Sequence, residues 1–380
     1  MRVTDESRMH DDLTQAGVAH AGPTRVHPTR AHPTRGIAMA GEPSSATGSR
    51  TQRAARGRLL ARGMLSKGML SKGMLSKGMR GVALALCALV LAGCGGEDVV
   101  EAPKVDPAYQ AEIDTWRRLR YEDLTRADGW LSIVGLHWLT LDAHFVGTER
   151  SGVDTVFGPP QLGMFSKVGD RVYFTPEAGV DVTHNGQPFR GRIEMLDDRS
   201  PTPSILGYDN GQGEITVIWR GGRHAARIRH NQAEGRLKFA GIEYWPLDES
   251  WKMQATFTPN PPGTTTEVVT VMGTTEVATI PGTITFERDG KPYRLEVFPR
   301  GDAGYTVMFA DQTSGQGSYG QGRFIDLLQP DAQGKLTIDF NRAYNPMCAY
   351  HRYGTCPTPP KNNRLELAVN AGEKRYTAHR

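Results

Sequence analysis

A chain of 380 residues, 38% hydrophobic and 23% charged, is long and apolar enough to bury one large core or two smaller ones. Four cysteines in such a length exclude a small scaffold held by many disulfides, and 44 glycines without a collagen period exclude a fibrous chain. The formal charge of +4 is unevenly spread along the chain, and that unevenness decides what it means.

Residues 1–78 do not read as a folded domain. Ala21-Gly22-Pro23-Thr24-Arg25 is followed by two copies of His-Pro-Thr-Arg ending at Arg35, and Gly-Met-Leu-Ser-Lys recurs from Gly63. Such tracts cannot bury a core, so a non-native or disordered leader is expected here. Met64, Met69, Met74 and Met79 are each placed to begin a signal peptide of ordinary length.

Residues 79–93 carry the order of a secretory signal. Lys67, Lys72, Lys77 and Arg80 precede 12 residues from Gly81 to Ala92 that are apolar throughout, whereas a helix needs about 20 to cross a bilayer. The run ends in Leu91-Ala92-Gly93-Cys94, which resembles the lipobox of bacterial lipoproteins. The resemblance implies cleavage before Cys94, acylation of its thiol, and a lipid-anchored protein of the bacterial cell envelope that faces the periplasm. A buried core helix is the alternative, disfavoured by the absence of a polar stripe and by the Gly95-Gly96 pair.

Cleavage there changes the charge balance. Of 45 Lys and Arg and 41 Asp and Glu, 14 and 5 fall before Cys94, which leaves 31 and 36 over the remaining 287 residues. A net charge of −5 removes the main electrostatic argument for a nucleic-acid partner.

Residues 94–105 read as a tether, and residues 106–380 as a β-rich domain opened by one amphipathic helix. Asp106-Pro107 supplies an N-cap acid and a first-turn proline. Tyr109, Ile113 and Trp116 line one face, and Asp128-Gly129 supplies a stop. Arg117, Arg118, Arg120, Glu122 and Asp123 are expected to form a solvated face.

Beyond the helix the hydrophobic period is two. Ile215, Val217 and Trp219 lead into Gly221-Gly222 and the return run Arg223 to Arg229, a hairpin pattern. Trp251, Met253, Ala255 and Phe257 alternate with polar residues, and Asp289-Gly290 joins Thr283–Arg288 to Pro292–Phe298. Tyr305–Ala310, Arg323–Leu328 and Lys335–Phe340 complete a series of short strands. Such a series implies an antiparallel sandwich or barrel-like fold, mainly β. Pro201 to Gly213, rich in Pro, Gly, Asp and Asn, is a candidate cut between two halves.

From Asp128-Gly129-Trp130-Leu131-Ser132 onward the chain resembles the uncharacterised bacterial family called domain of unknown function 1684. The likeness runs through Arg220-Gly221-Gly222-Arg223, Gly241-Ile242-Glu243-Tyr244-Trp245-Pro246 and Gly273-Thr274-Thr275-Glu276. It is densest at Phe309 to Gly315, Tyr319 to Phe324 and Asp339 to Tyr350, and spans nearly all of 115–375. The family name implies no reaction and assigns no site residues. Separately, the order of Gly147-Thr148-Glu149-Arg150-Ser151 and Thr183-His184-Asn185-Gly186 resembles the loops of forkhead-associated phosphopeptide-binding sandwiches, without their central Ser-x-x-His; it implies a sandwich.

One region concentrates polar side chains. Asp339, Asn341, Arg342, Tyr344, Asn345 and Tyr350, with His351, Arg352 and Tyr353 following, suit a preorganised pocket. The competing reading is a plug in which they satisfy buried backbone groups. Asp311, Thr313, Ser314, Tyr319 and Arg323 lie on a loop with four glycines whose amides are candidates to cradle an anion, or which is simply a flexible hairpin loop. It has no Lys-Ser/Thr ending and is not a nucleotide P-loop.

Among 106–380 there is no Gly-x-Ser-x-Gly elbow and no His-Glu-x-x-His, and Gly315-Gln316-Gly317-Ser318-Tyr319-Gly320, which has dinucleotide-loop glycine spacing, has no following helix, so neither metal nor cofactor is expected. His137, in an apolar run, reads as a satisfied core histidine. Paired acids are the feasible general acid and base, with Asp311, Asp339 and Glu243 as candidates. Cys348 and Cys356 in an oxidising compartment are expected to form a disulfide worth about 2.5 kcal/mol; free thiols, or a metal with His351, are the alternatives.

Two functions follow. One is an envelope lipoprotein, anchored to the membrane through Cys94, that binds an unidentified small molecule, glycan, peptide or envelope protein through loops of a β scaffold. The other is an envelope hydrolase with its site around Asp339–Tyr350. Convergence of Asp311, Arg323, Asp339 and Arg342 on an open cavity favours the hydrolase; buried mutual pairing favours binding.

Overall fold

The computed structural model describes residues 105–149 and 152–377. The leader, the signal segment, Cys94 and the tether before Val105 lie outside the described residues, as do Arg150 and Ser151.

Helix α1 (Pro107–Thr125) starts as its sequence dictates: the Asp106 carboxylate accepts the Ala108 amide at 2.8 Å, with Pro107 in the first turn. Tyr109, Ile113 and Leu124 are buried. Arg120, expected on the solvated face, is buried on the same side. The helix stops at Thr125, three residues before the Asp128-Gly129 signal, where Arg126 pairs with Asp128 at 2.6 Å.

The first part of the β structure comprises β1 (Ile133–Trp138), β2 (Ala143–Gly147), β3 (Val153–Asp154), β4 (Gly163–Val168), β5 (Arg171–Pro176), β6 (Thr183–His184), β7 (Gln187–Pro188), β8 (Ile193–Glu194), β9 (Ile205–Tyr208), β10 (Gly213–Arg220) and β11 (Arg223–His230). They form a six-stranded sheet in the order β1-β11-β10-β9-β6-β7 and a five-stranded sheet in the order β3-β2-β4-β5-β8. Val146, Phe165 and Phe174 of the second sheet and Leu206, Ile215 and Ile228 of the first share one core, as a sandwich requires. The expected hairpin between β10 and β11 turns at Gly221 and Gly222, with φ of 54° and 75°, the left-handed conformations that a two-residue turn matching strand twist demands. The alternation on β10 slips at its end: Ile218 is buried beside Val217, and Trp219 is only half-buried.

The candidate cut at 201–213 falls inside this sheet, because Ile205–Tyr208 pairs antiparallel with Gly213–Thr216. The passage out of the sandwich runs instead through the short helix α2 (Glu234–Leu237) and an extended stretch to Trp251.

The second part holds β12 (Lys252–Pro259), β13 (Thr265–Val269), β14 (Thr275–Thr279), β15 (Gly282–Arg288), β16 (Lys291–Pro299), β17 (Tyr305–Phe309), β18 (Arg323–Leu327) and β19 (Lys335–Asp339). Six of them form an antiparallel half-barrel in the order β18-β17-β16-β15-β12-β19. The β15–β16 turn again uses left-handed residues, Asp289 and Gly290 at φ 53° and 71°. Trp251, Ala255, Ile284, Leu295, Val307 and Ile325 pack inside together with Phe340, Leu365, Val369 and Ala371 from the C-terminal segment. Each such large side chain withdrawn from water contributes about 1.5–3 kcal/mol. The remaining two strands, β13 and β14, leave the half-barrel as a hairpin of their own.

Candidate functional site

The residues singled out near the C-terminus divide among three polar clusters rather than converging on one opening. In the first, Asp311 pairs with Arg323 at 2.7 Å, and the two side chains are 0% and 1% exposed. Arg323 also donates to the carbonyls of Val369 (2.9 Å), Ala371 and Glu373 (3.3 Å). The other Asp311 oxygen accepts Thr313 N at 3.0 Å, Thr313 Oγ1 at 2.7 Å and Ser314 Oγ at 3.2 Å. Burial lowers the affinity of the guanidinium for its proton and Asp311 opposes that shift.

The four-glycine loop is likewise turned inward. The amides of Ser314, Gly315, Gln316, Ser318 and Gly322 bond to carbonyls within the loop, and Gln312 N bonds to Leu367 O. These donors are spent on the loop's own fold, not directed at an anion. Tyr319 reaches out of it to donate to Cys348 O at 3.1 Å.

The second cluster ties helix α1 to the end of β19. The Tyr109 hydroxyl lies 2.9 Å from both oxygens of Asp339, Asn341 N donates to that carboxylate at 3.0 Å, and Asn341 Nδ2 donates to Tyr109 Oη and to Asp248 O. Burial raises the Asp339 pKa, opposed by its hydrogen bonds with Tyr109 and Asn341 and by the charge of Arg342. Arg342 lies 3.4 Å from Asp339 and binds Glu112 on α1.

The third cluster centres on Glu373, a fully buried carboxylate. It accepts Arg120 Nε at 2.9 Å, Asn345 N at 2.6 Å and the Tyr350 hydroxyl at 2.9 Å, while Arg120 donates to Asn345 O and stacks over the Tyr344 ring at 4.8 Å. Asn345 Nδ2 donates to Lys374 O, and the Tyr344 hydroxyl donates to Asp326 at 3.0 Å. Desolvation pushes the Tyr344 and Tyr350 phenols well above their ordinary range.

Thus Asp311 and Asp339 share no partner, and Glu243 is exposed on another segment. The arrangement is the plug, each carboxylate bound by an Arg or Tyr and by backbone donors. Sequence reading missed Glu373, Arg120, Tyr109 and Asp326. His137 is satisfied as expected, with Nε2 at 3.1 Å from Asp154 O, but it is half-buried at the sheet surface rather than in the core, and desolvation holds its pKa down.

The expected disulfide is not formed. Cys348 and Cys356 are free thiols, and the Cys356 amide donates to Cys348 Sγ at 3.2 Å. The hydrogen bond from Cys356 holds the Cys348 thiol below its usual range, while burial pushes the Cys356 thiol up. Alkylation in denaturant without reductant is expected to modify both residues, and a cross-linked peptide pair in the mass map would refute this. Among the described residues no group of three or more His, Cys, Asp or Glu is placed to hold a metal ion.

His351, between the two cysteines, carries a pH dependence. The residue is half-buried with Nε2 out of water and unpartnered, and desolvation, with the Arg227 and Arg229 charges, lowers its pKa to about 4. An unfolded histidine titrates near ~6.5. Between these values the unfolded chain binds a proton that the folded chain refuses, so stability is intact above the upper value and falls as pH drops toward the lower. The loss is on the order of 3 kcal/mol. The urea midpoint is expected to fall between pH 7 and pH 4.5 and to fall less in His351→Gln; parallel curves for both proteins would refute the assignment.

An opening does exist elsewhere, where none of the eleven pocket candidates lies. The β13–β14 hairpin turns Val268 and Ala278 toward Phe298, Met308 and Phe324 on the outer face of the half-barrel. Between them lies a small cleft with a volume of ≈70 Å³, partly open to solvent. Its mainly apolar wall also carries Arg220, Glu276, Thr306 and Thr355. Arg220 pairs with Asp198 at 2.7 Å, and Thr306 donates to Asp326 at 2.7 Å. Glu276 Oε1 and Thr355 Oγ1 are buried atoms with no hydrogen-bond partner. The hairpin is anchored at its tip, where Val271 N bonds to Cys356 O and Thr358 N to Val269 O.

Comparison with known proteins adds a family. Residues 237–374 match the family model described as "Protein of unknown function (DUF1684)". Among solved structures, an uncharacterised protein of Haloarcula marismortui, determined in solution by NMR, is 36% identical over 37% of this chain and 78% of its own, with a TM-score of 0.31. No curated protein matches.

Proposed function

We propose, from the premise that residues 237–374 of this chain belong to the DUF1684 family, that the protein is a lipid-anchored binding protein of the bacterial cell envelope, and that the cleft beneath the β13–β14 hairpin holds its ligand. The observation that carries this reading is a contrast. The carboxylates needed by a hydrolase, Asp311 and Asp339, are buried in complete networks, while the apolar cleft presents polar atoms without partners. The anchor rests on the Leu91-Ala92-Gly93-Cys94 resemblance. Among the described residues no helix is long and apolar enough to cross a membrane.

Two measurements test the two halves of the proposal. A radioactive fatty acid is expected to label the wild type and not Cys94→Ser; equal labelling refutes the anchor. Native mass spectrometry of protein drawn from its own membranes is expected to show a small-molecule adduct that Ala278→Trp, which fills the cleft, abolishes. An adduct that survives in a folded Ala278→Trp protein refutes the site.

A further inference from the structure

We infer that the ligand of this cleft is an amphiphile whose apolar body lies against Val268, Phe298, Met308 and Phe324 and whose polar end is a protonated amine held by Glu276 and Thr355; this rests on the binding reading above. The apolar part follows from the wall. The strand register sets the polar part: Val268 pairs directly with Glu276 across the hairpin, so an apolar side chain and a carboxylate stand side by side.

A carboxylate oxygen out of water and without a donor is costly, and so is a buried hydroxyl without a partner. Glu276 Oε1 and Thr355 Oγ1 are both in that condition, and Thr355 is 3% exposed. Both atoms accept hydrogen bonds, and one is charged. The cation on the same wall, Arg220, is engaged by Asp198 and by Trp219 O. An ammonium, with three donors and a positive charge, complements both acceptors at once. A carboxylate-headed amphiphile meets repulsion at Glu276, and a hydroxyl head supplies one donor and no charge.

The experiment titrates the folded protein at pH 7 with decylamine, 1-decanol and decanoate by calorimetry, for the wild type, Glu276→Gln, Thr355→Val and Ala278→Trp. Decylamine is expected to bind tightest, and Glu276→Gln to weaken it about ten-fold or more, while 1-decanol changes little. Thr355→Val, which keeps the shape and removes the hydroxyl, is expected to weaken decylamine by a smaller factor. If the three probes bind alike, or Glu276→Gln leaves decylamine unchanged while Ala278→Trp blocks all three, the amine assignment falls and the cleft stands. If no probe binds, or none responds to Ala278→Trp, the cleft reading falls with it. Thermal melts of each variant separate lost binding from lost folding.

Discussion

Arg323→Ala is expected to destabilise the protein by about 3–5 kcal/mol, read as a large fall in the urea midpoint, because it strands a carboxylate in the core. Asp311 is fully buried, and its Oδ2 receives one charged donor, Arg323, beside the Val369 amide at 3.2 Å. The same guanidinium also satisfies the carbonyls of Val369, Ala371 and Glu373. Asp311→Ala is expected to cost a similar amount by leaving the cation unpaired. The joint change Asp311→Leu with Arg323→Met removes both charges, so it is expected to cost less than the two single alanine changes added together. Its recovery stays incomplete because three carbonyls lose their donor. A fall below about 1 kcal/mol in Arg323→Ala, the scale of an exposed ion pair, refutes the account.

Glu373→Ala is expected to produce a loss of similar size, about 3–5 kcal/mol. Three donors from two regions meet on this carboxylate: Arg120 from α1, and the Asn345 amide and Tyr350 hydroxyl from the C-terminal segment. Removing it strands a guanidinium with 4% side-chain exposure and frees two further donors in the interior. Glu373→Gln keeps one accepting oxygen and is expected to fall between wild type and alanine. A Glu373→Ala protein with a wild-type midpoint rules out the carboxylate as the joint between helix and tail.

Local patterns were legible where their causes are local. The Gly221-Gly222 and Asp289-Gly290 turns, the Asp106-Pro107 helix start and the alternation of Trp251, Met253, Ala255 and Phe257 depend on neighbours a few residues away. Each stands where its chemistry puts it. The density of polar residues from Asp339 to Tyr350 was also visible, but its meaning was not. Asp339 meets Tyr109 across 230 positions and Arg120 meets Glu373 across 253. A lone Arg on a charged helix face carries no sign that its partner waits near the end of the chain. The cleft left even less trace, because Glu276 and Thr355 become informative only when a hairpin and a loop from distant segments face each other.

The last described turns of the chain close the fold by supplying what earlier residues lack. Arg323 bonds to the carbonyls of Val369, Ala371 and Glu373, and Arg120 waits for the Glu373 carboxylate. During synthesis Arg120 and Arg323 emerge before these partners, so the networks around them are completed only once Val369 to Glu373 has been made. Loss of Val369–Glu373 takes three carbonyls from Arg323, leaving it Asp311, and the carboxylate from Arg120, leaving it the Asn345 carbonyl. Closure of the half-barrel is thus the work of a five-residue segment, Val369 to Glu373, whose main-chain oxygens and one carboxylate complete networks begun at Arg120 and Arg323.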